Sequence, residues 1–293
     1  MSFVDRSKSL PELGLGVSTE YGAGDAPGAL DLRALRRQAP QFGRFLEVGV
    51  EVAKGLDLQA QRWASAGLPT TYHFLDINFD EPEDFSEEWI EGVRRLAAVL
   101  KPAWMCGDAG LWHFGPRDRA HMLLLPPILT DESATEMADG IIALREAVGL
   151  EILPENPPGS VFIGDLSLLE FFRRVLERAD TGILLDCAHL AMFQRLHGLS
   201  PTDGLDDFPL DRIVEIHIAG GSIHRSGDFA WVEDDHSTSV LPETWAIFRH
   251  VIERAENLKA VVIECERNPL PACLPMMRQT AAVLKDSVLA RWA

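Results

Sequence analysis

Nothing in this sequence approaches the ~18 to 20 consecutive apolar residues that a bilayer-spanning helix requires, so no membrane segment is expected. The opening MSFVDRSKSLPELG lacks the apolar stretch of a secretory signal. Cysteine is scarce and scattered. Cys106, Cys187, Cys265 and Cys273 show no CxxC spacing and read as reduced, buried thiols of a cytoplasmic protein. Basic residues are outnumbered, 27 Lys and Arg against 45 Asp and Glu, for a formal net charge of -18. A phosphate backbone needs clustered Lys and Arg, so nucleic acid is not an expected partner. No GxGxxG follows the first strand-like run, and no GxSxG elbow is present. These absences argue against a dinucleotide-binding fold and a Ser-His-Asp hydrolase. There is no internal repeat and no low-complexity linker.

What remains is a globular composition, 46% hydrophobic and 25% charged, over 293 residues. That length suits two average domains or one α/β barrel. Short β-rich runs fall at 13–18, 45–50, 71–75, 103–106, 150–153, 182–185, 213–218 and 260–263. Several, such as GILL, IVEIHI and AVVI, are continuously apolar, which suits parallel strands covered on both faces. Amphipathic helical patterns lie between them at 86–100, 133–148, 166–178 and 242–255. Ser133 and Glu136 have capping-box spacing, and Gly149 stands where a terminating glycine belongs. Eight alternating units predict a (β/α)₈ barrel forming a single domain over 1–293. Two stretches, 197–211 and 220–241, read as long loops of the kind that serve as lids or binding loops.

In such a barrel the chemistry sits at the carboxyl ends of the strands. The second strand there carries Glu47 and Glu51, the third His73, the fourth leads to Asp108, and the fifth ends in Glu155 and Asn156. The sixth ends in Asp186 with His189 just after. The seventh carries His217, and its loop holds Asp234 and His236. The eighth ends in Glu264 with Glu266 beyond. Taken singly, a strand-end carboxylate is more often a helix cap or a surface charge, and a lone His in an apolar strand is more often a satisfied core residue. Convergence on one mouth changes this, because crowded like charges repel unless cations hold them. A His and carboxylate set without Cys suits Fe, Mn, Zn or Co. Cys187 and Cys265 each follow a carboxylate directly, so alternation turns them away from the mouth. His113 and His121, near the fourth strand end, and His224, in the long loop, are candidates for facing substrate or backing the ligands. His197 and His250 read as surface positions, and DEPEDFSEEWIEG as a solvated loop and helix start.

These residues lie in motifs that resemble the multinuclear non-haem iron-dependent oxygenases (the DUF692 group), xylose-isomerase-like TIM barrels. GLGVS, FLEVGVE, YHFLDI, LLLPP with ILTDES, LPENPPGS, LLDCAHL, EIHIAGG, DDHSTSV and VIECER match the family's motifs in order over nearly the whole chain. The resemblance implies a TIM barrel with two or three iron ions in a mixed-valent centre and O₂ as co-substrate. The reaction it implies oxidises cysteine or another residue of a ribosomal precursor peptide, or acts on a small molecule. A separate partner protein that captures the peptide leader is also implied. Carried over residue by residue, the ligands would be His73, Asp108, Glu155, Asp186, His217, Asp234, His236 and Glu264. Of these, His73, Asp108, Glu155 and His217 are expected to carry catalysis. Glu266, Asn156, Glu51, His113 and His224 are expected at the substrate or behind the ligands.

The chain also departs from the family pattern. Ala109 replaces the His of the fourth-strand SDH motif, Val52 the Asn of EN, and Gly221 the His of AGH. His189 is new, and is expected to bind one metal without filling the vacated place. Asp108 would then bind alone on that side or hydrogen-bond to His113. Two other classes remain open: a divalent-metal isomerase or phosphodiesterase-like hydrolase on the same barrel, and a non-catalytic metal-binding protein. The strand ends carry no Lys for an isomerase, and the net charge disfavours a DNA phosphodiesterase.

Overall fold

The computed structural model describes residues 2–19, 27–115, 117, 123–287 and 292. Eight parallel strands form its centre: β1 (Gly14–Thr19), β2 (Leu46–Val50), β3 (Thr70–Phe74), β4 (Met105–Asp108), β5 (Ile152–Glu155), β6 (Ile183–Asp186), β7 (Ile213–Ser226) and, after an intervening β8 (Phe229–Ser237), β9 (Ala260–Glu264). The order β6-β5-β4-β3-β2-β1-β9-β7 closes on itself through β6–β7 pairing, leaving no open edge in the ring. Every pair within the ring is parallel. This is the (β/α)₈ barrel expected from the strand count.

Helices α2 (Leu32–Gln38), α3 (Leu58–Ser65), α4 (Glu87–Leu100), α5 (Asp131–Val148), α6 (Leu168–Ala179), α7 (Cys187–Leu196), α8 (Pro242–Ile252) and α9 (Leu270–Lys285) surround it, with a short α1 (Phe3–Ser7) before β1. Their starts are set by side-chain caps. Asp31, Asp57, Ser86 and Ser167 each accept a hydrogen bond from a backbone N–H of the first turn, satisfying donors the helix cannot. The α5 helix begins two residues before the expected position. Its cap is Thr130, whose hydroxyl accepts from the Ser133 N–H, so Ser133 lies inside the helix. Gly149 ends it at φ 72°, as expected.

Alternation along the strands separates two cores. Leu15, Val17, Leu46, Val48, Tyr72, Phe74, Met105, Ile152, Ile183, Leu185, Ile216, Val261 and Ile263 point outward and pack with the helices. Cys106, Leu153, Leu184 and Val262 point inward, with Phe45 and Trp104, and fill the barrel floor. One close approach sets the fit of helix to sheet. A Cβ on Gly140 of α5 would lie 1.8 Å from the backbone oxygen of Phe79.

The expected long loop at 220–241 is instead largely a β-hairpin. β7 runs on past the barrel rim to Ser226, turns at Gly227 (φ 60°) and returns antiparallel as β8. The Gly, Ser and Asp content made this stretch resemble a loop. Gly220 sits where a Cβ would be 2.1 Å from the Ser237 oxygen, so glycine here permits tight pairing. The stretch 197–211 is irregular, with 3₁₀ turns at Leu205–Asp207 and Leu210–Arg212. Among the described residues no helix is long and apolar enough to cross a membrane.

Gly140→Ala should lower the stability of the protein. Alanine gains about 1 kcal/mol of helix propensity, but the overlap with a backbone oxygen costs roughly 1–3 kcal/mol or more because that atom cannot swing away. A denaturant midpoint equal to or above that of the unsubstituted protein would show that α5 does not press on the Phe79 segment.

Candidate metal centre

The inward-facing positions change character one step along each strand. Two residues beyond Cys106, Leu153, Leu184, Glu215 and Val262 stand Asp108, Glu155, Asp186, His217 and Glu264. A period of two keeps each pair on one face, so the second set forms a polar ring above the floor. His73 enters the same ring two residues beyond Thr71. Asp108 is paired in register with Glu155, and Asp186 with His217. The hairpin brings in Asp234 and His236 from β8. His236 takes a positive φ of 49°, a conformation uncommon for a non-glycine residue. His189, in the first turn of α7, turns its imidazole into the same volume, and its backbone N–H donates to Asp186 Oδ1.

The resulting network is continuous. His73 Nε2 lies 2.7 Å from Glu155 Oε2. Glu155 Oε1 faces His217 Nδ1 at 3.3 Å and His189 Nδ1 at 3.6 Å. His217 also meets Glu264 Oε1 at 3.3 Å and, through Nε2, Glu47 Oε1 at 3.0 Å. His189 Nε2 faces Asp234 Oδ2 at 3.2 Å and Asp186 Oδ2 at 3.6 Å. His236 Nε2 lies 3.3 Å from Asp234 and 3.8 Å from Glu264. Three groups in this ring have ligand atoms close enough to share one ion: His73–Asp108–Glu155, Glu155–Asp186–His189 and Glu47–His217–Glu264. Asp108 Oδ1, Asp186 Oδ2, Asp234 Oδ1 and Glu264 Oε2 are buried without a hydrogen-bond partner. Buried donors and acceptors are normally satisfied, so such a concentration fits a cation as the missing partner. A cavity of about 230 Å³ opens among these residues, with Trp112, Leu124 and Pro158 on its outer wall.

Backing groups orient the imidazoles. His236 Nδ1 pairs with Glu266 Oε1 at 2.7 Å, which leaves Nε2 facing the cluster. Glu266 is held in turn by the Ser18 hydroxyl at 3.0 Å. His189 Nδ1 donates to the Asn156 carbonyl at 2.9 Å, leaving Nε2 toward Asp186 and Asp234. The Asn156 side chain clamps the strand-six end through both the N–H and the carbonyl of Asp186.

The electrostatics follow from burial. Desolvation alone would lower the pKa of His73, but its bond to Glu155 and the charges of Glu47 and Glu155 push it up to about 10. His189, His217 and His236 are raised in the same way by surrounding carboxylates. Burial pushes Asp186 up to about 7 despite His189, and pushes Asp108 well above the carboxylate range. Glu155 goes the other way. Burial opposes its charge, but His217 and His73 hold it below its usual range. Protonated imidazoles are thus cations that offset the carboxylates, a role a metal ion could fill in their place.

Most expected site residues meet here: His73, Asp108, Glu155, Asp186, His189, His217, Asp234, His236 and Glu264, with Asn156 and Glu266 behind them. Three do not. Glu51 lies past the end of β2, where the chain turns, and pairs with Lys54 at 2.6 Å. His113 hydrogen-bonds to Asp84 at 2.9 Å and to the Gly115 carbonyl at 2.8 Å, so of the two alternatives for Asp108 the bond to His113 is not made. His224 is part of the projecting hairpin, stacked on Trp231 and paired with Glu233 at 2.7 Å. His121 lies outside the described residues. Ala109 is fully buried in the core, and its N–H donates to the Glu155 carbonyl. Conversely, Glu47 belongs to the ring and was not among the expected ligands. Below it, Cys106 Sγ donates to Glu47 Oε2 at 3.2 Å, and Glu215 accepts from Trp104 Nε1 at 2.6 Å. The available signal was the alternation of Glu47 with the outward Leu46 and Val48.

With the site in view, comparison with known proteins places the chain. Its fold is that of the xylose-isomerase-like TIM barrels. One from Mycobacterium smegmatis, solved in complex with magnesium, superposes with a TM-score of 0.59 at 12% identity, covering 98% of this chain and 99% of that one. Residues 31–285 match the model of the family described as RiPP precursor modification enzyme MbnB/TglH/ChrH, and the chain belongs to that family. Its relatives include a UPF0276 protein of Rhizobium meliloti strain 1021, 32% identical over 74% of this chain and 71% of that one. Another is a UPF0276 protein of Anaeromyxobacter sp. strain Fw109-5, 26% identical over 76% of this chain and 77% of the other.

Metal binding to this ring must displace protons from imidazoles. Because His73 keeps its proton up to about 10, affinity for divalent metal should rise steadily from neutral pH toward that value, with protons released on binding. Titration calorimetry in two buffers of different ionisation enthalpy reads the release directly. Identical heats in both buffers, with affinity independent of pH, would place the metal elsewhere.

Proposed function

We propose that this protein is an iron- and O₂-dependent oxidase or oxygenase that modifies cysteine or another residue of a ribosomally made precursor peptide, using two or three iron ions. The observation that carries this reading is the ring of imidazoles and carboxylates around one buried cavity, with so many ligand atoms lacking a hydrogen-bond partner. Nitrogen and oxygen donors of this kind suit iron in either oxidation state. When bound, iron supplies the one-electron redox chemistry and the activation of O₂ that no side chain can.

The chain's own residues supply the rest. His73, Asp108 and Glu155 would hold one ion, and Glu155, Asp186 and His189 a second. Glu47, His217 and Glu264 would hold a third, with Asp234 and His236 completing the set from the hairpin. Glu155 turns Oε2 toward His73 and Oε1 toward His189 and His217, so its carboxylate serves more than one group. Glu266 and Asn156 keep the second nitrogens of His236 and His189 occupied and so fix which nitrogen each presents. Trp112, Leu124 and Pro158 limit water at the cavity wall. A cavity of about 230 Å³ admits a side chain rather than a folded domain, which suits a peptide presented from outside. A partner protein that captures the rest of the peptide, and a location in the reducing cytoplasm suited to four free cysteines, belong to the same reading.

Glu155→Ala should leave the barrel folded, lower the iron content and reduce turnover by about 100-fold or more, since it removes a shared ligand. Circular dichroism, metal analysis and O₂ uptake with a cysteine-containing precursor peptide measure the three effects. Full iron occupancy with normal turnover would contradict the assignment.

Product formation should also stop under strict anaerobiosis and resume on admitting O₂. Undiminished turnover without O₂, or a protein active with zinc or magnesium and no iron, would favour isomerase or hydrolase chemistry instead.

A further inference from the structure

The remaining feature lies outside the barrel mouth, between α2 and α3. On α2, Arg33, Arg36 and Arg37 share one face by their spacing of three and four residues. On α3, Arg62 lies beside Trp63 on the facing side. All four arginines are exposed, and together they line a groove of about 840 Å³. Among the described residues none of the four has a carboxylate partner. Arg36 instead lies over the Trp63 ring, 5.4 Å from its centre. Asp31, the carboxylate lining the groove, is already engaged as the α2 cap, accepting from the Arg33 and Ala34 N–H groups. Elsewhere on the surface, by contrast, Arg173, Arg174 and Arg178 are tied to Glu170, Glu177 and Asp131. In a chain of net charge -18, four cations without a carboxylate partner among the described residues repel one another across the facing helices.

We propose that this groove docks an acidic segment of another polypeptide chain. Guanidinium forks match carboxylates in bidentate pairs, and Leu32, Trp63 and Leu68 supply an apolar floor for side chains between them. A small anion would need neither that floor nor that length. A nucleic acid would meet the acidic surface beyond the groove and be repelled. The groove extends down the barrel flank from the mouth end, with Arg33 in the first turn of α2 and Arg36, Arg37 and Arg62 in the last turns of α2 and α3. Both helices follow barrel strands, so their first turns lie at the end that carries the metal centre. Thr19, which lines the central cavity at the end of β1, hydrogen-bonds to Asp57, the cap of α3, at 3.2 Å. This docking stands apart from the iron chemistry, and binding is read without turnover.

The test uses the purified full-length protein and a short fluorescein-labelled peptide alternating Glu and Leu, with a Lys-Leu analogue as control. The acidic peptide should bind, weaken as salt is raised, and lose affinity by about tenfold or more in Arg33→Glu/Arg36→Glu/Arg37→Glu/Arg62→Glu, while the Lys-Leu analogue loses none. The same four positions changed to Gln should give an intermediate loss. Should the charge-reversed protein misfold, a photo-crosslinking version of the acidic peptide on the unsubstituted protein should label α2 and α3. Equal binding by the variants, labelling confined to other elements, or no binding of the acidic peptide would overturn the proposal. So would tighter binding of tripolyphosphate or of a single-stranded oligonucleotide at the groove.

Discussion

The centre of this barrel gathers Glu47, Asp108, Glu155, Asp186, Asp234 and Glu264 around four histidines in a space largely closed to water. Carboxylates so placed cannot all be charged without cations among them, and the surrounding structure meets that constraint at each step. The floor below is mostly apolar and filled, so the polar ring cannot sink into it. The hairpin covers one side and adds a carboxylate and an imidazole. Outside the ring, Glu266 and Asn156 take up the second nitrogens of two histidines, so that the first nitrogens stay directed inward. Remove the need for cations at the centre and this set of orphaned ligand atoms has no physical account.

The departures from the family pattern are accommodated locally. Ala109 is an ordinary core residue, and nothing at that position reaches the ring. His189 comes from α7 instead. Its Nδ1 lies 3.8 Å from Asp108 Oδ1 and 3.6 Å from Glu155 Oε1, while its Nε2 faces Asp186 and Asp234. An imidazole therefore reaches the side of the ring that Asp108 occupies, from another strand end. Gly221, where the family carries a histidine, sits against Val232 and Glu233 of the hairpin, where a Cβ would be 2.8 Å from Val232 Cγ1. The close pairing of β7 with β8 depends on that small residue.

The barrel, its eight strands and the direction of its ring residues were determined by the sequence alone, because each rests on a short-range regularity. Continuous apolar runs mark strands covered on both faces, and a period of two assigns each residue to the inner or outer side. Asp108, Glu155, Asp186 and Glu264 each stand one or two positions past such a run and close the strand it forms, and His217 stands on the inward row of its own. Tertiary structure decided what depends on facing partners. Residues 220–241 became a hairpin because β7 has an antiparallel neighbour to pair with past the rim, which composition rich in Gly and Asp conceals. Glu51 and His113 left the site because Lys54, across the turn, captures one and Asp84 the other. Glu47 joined it because closure brings β2 opposite His217, and no local pattern contains that distance. The arginine groove arose in the same way, from two helices whose cationic faces meet only when adjacent strands are laid side by side.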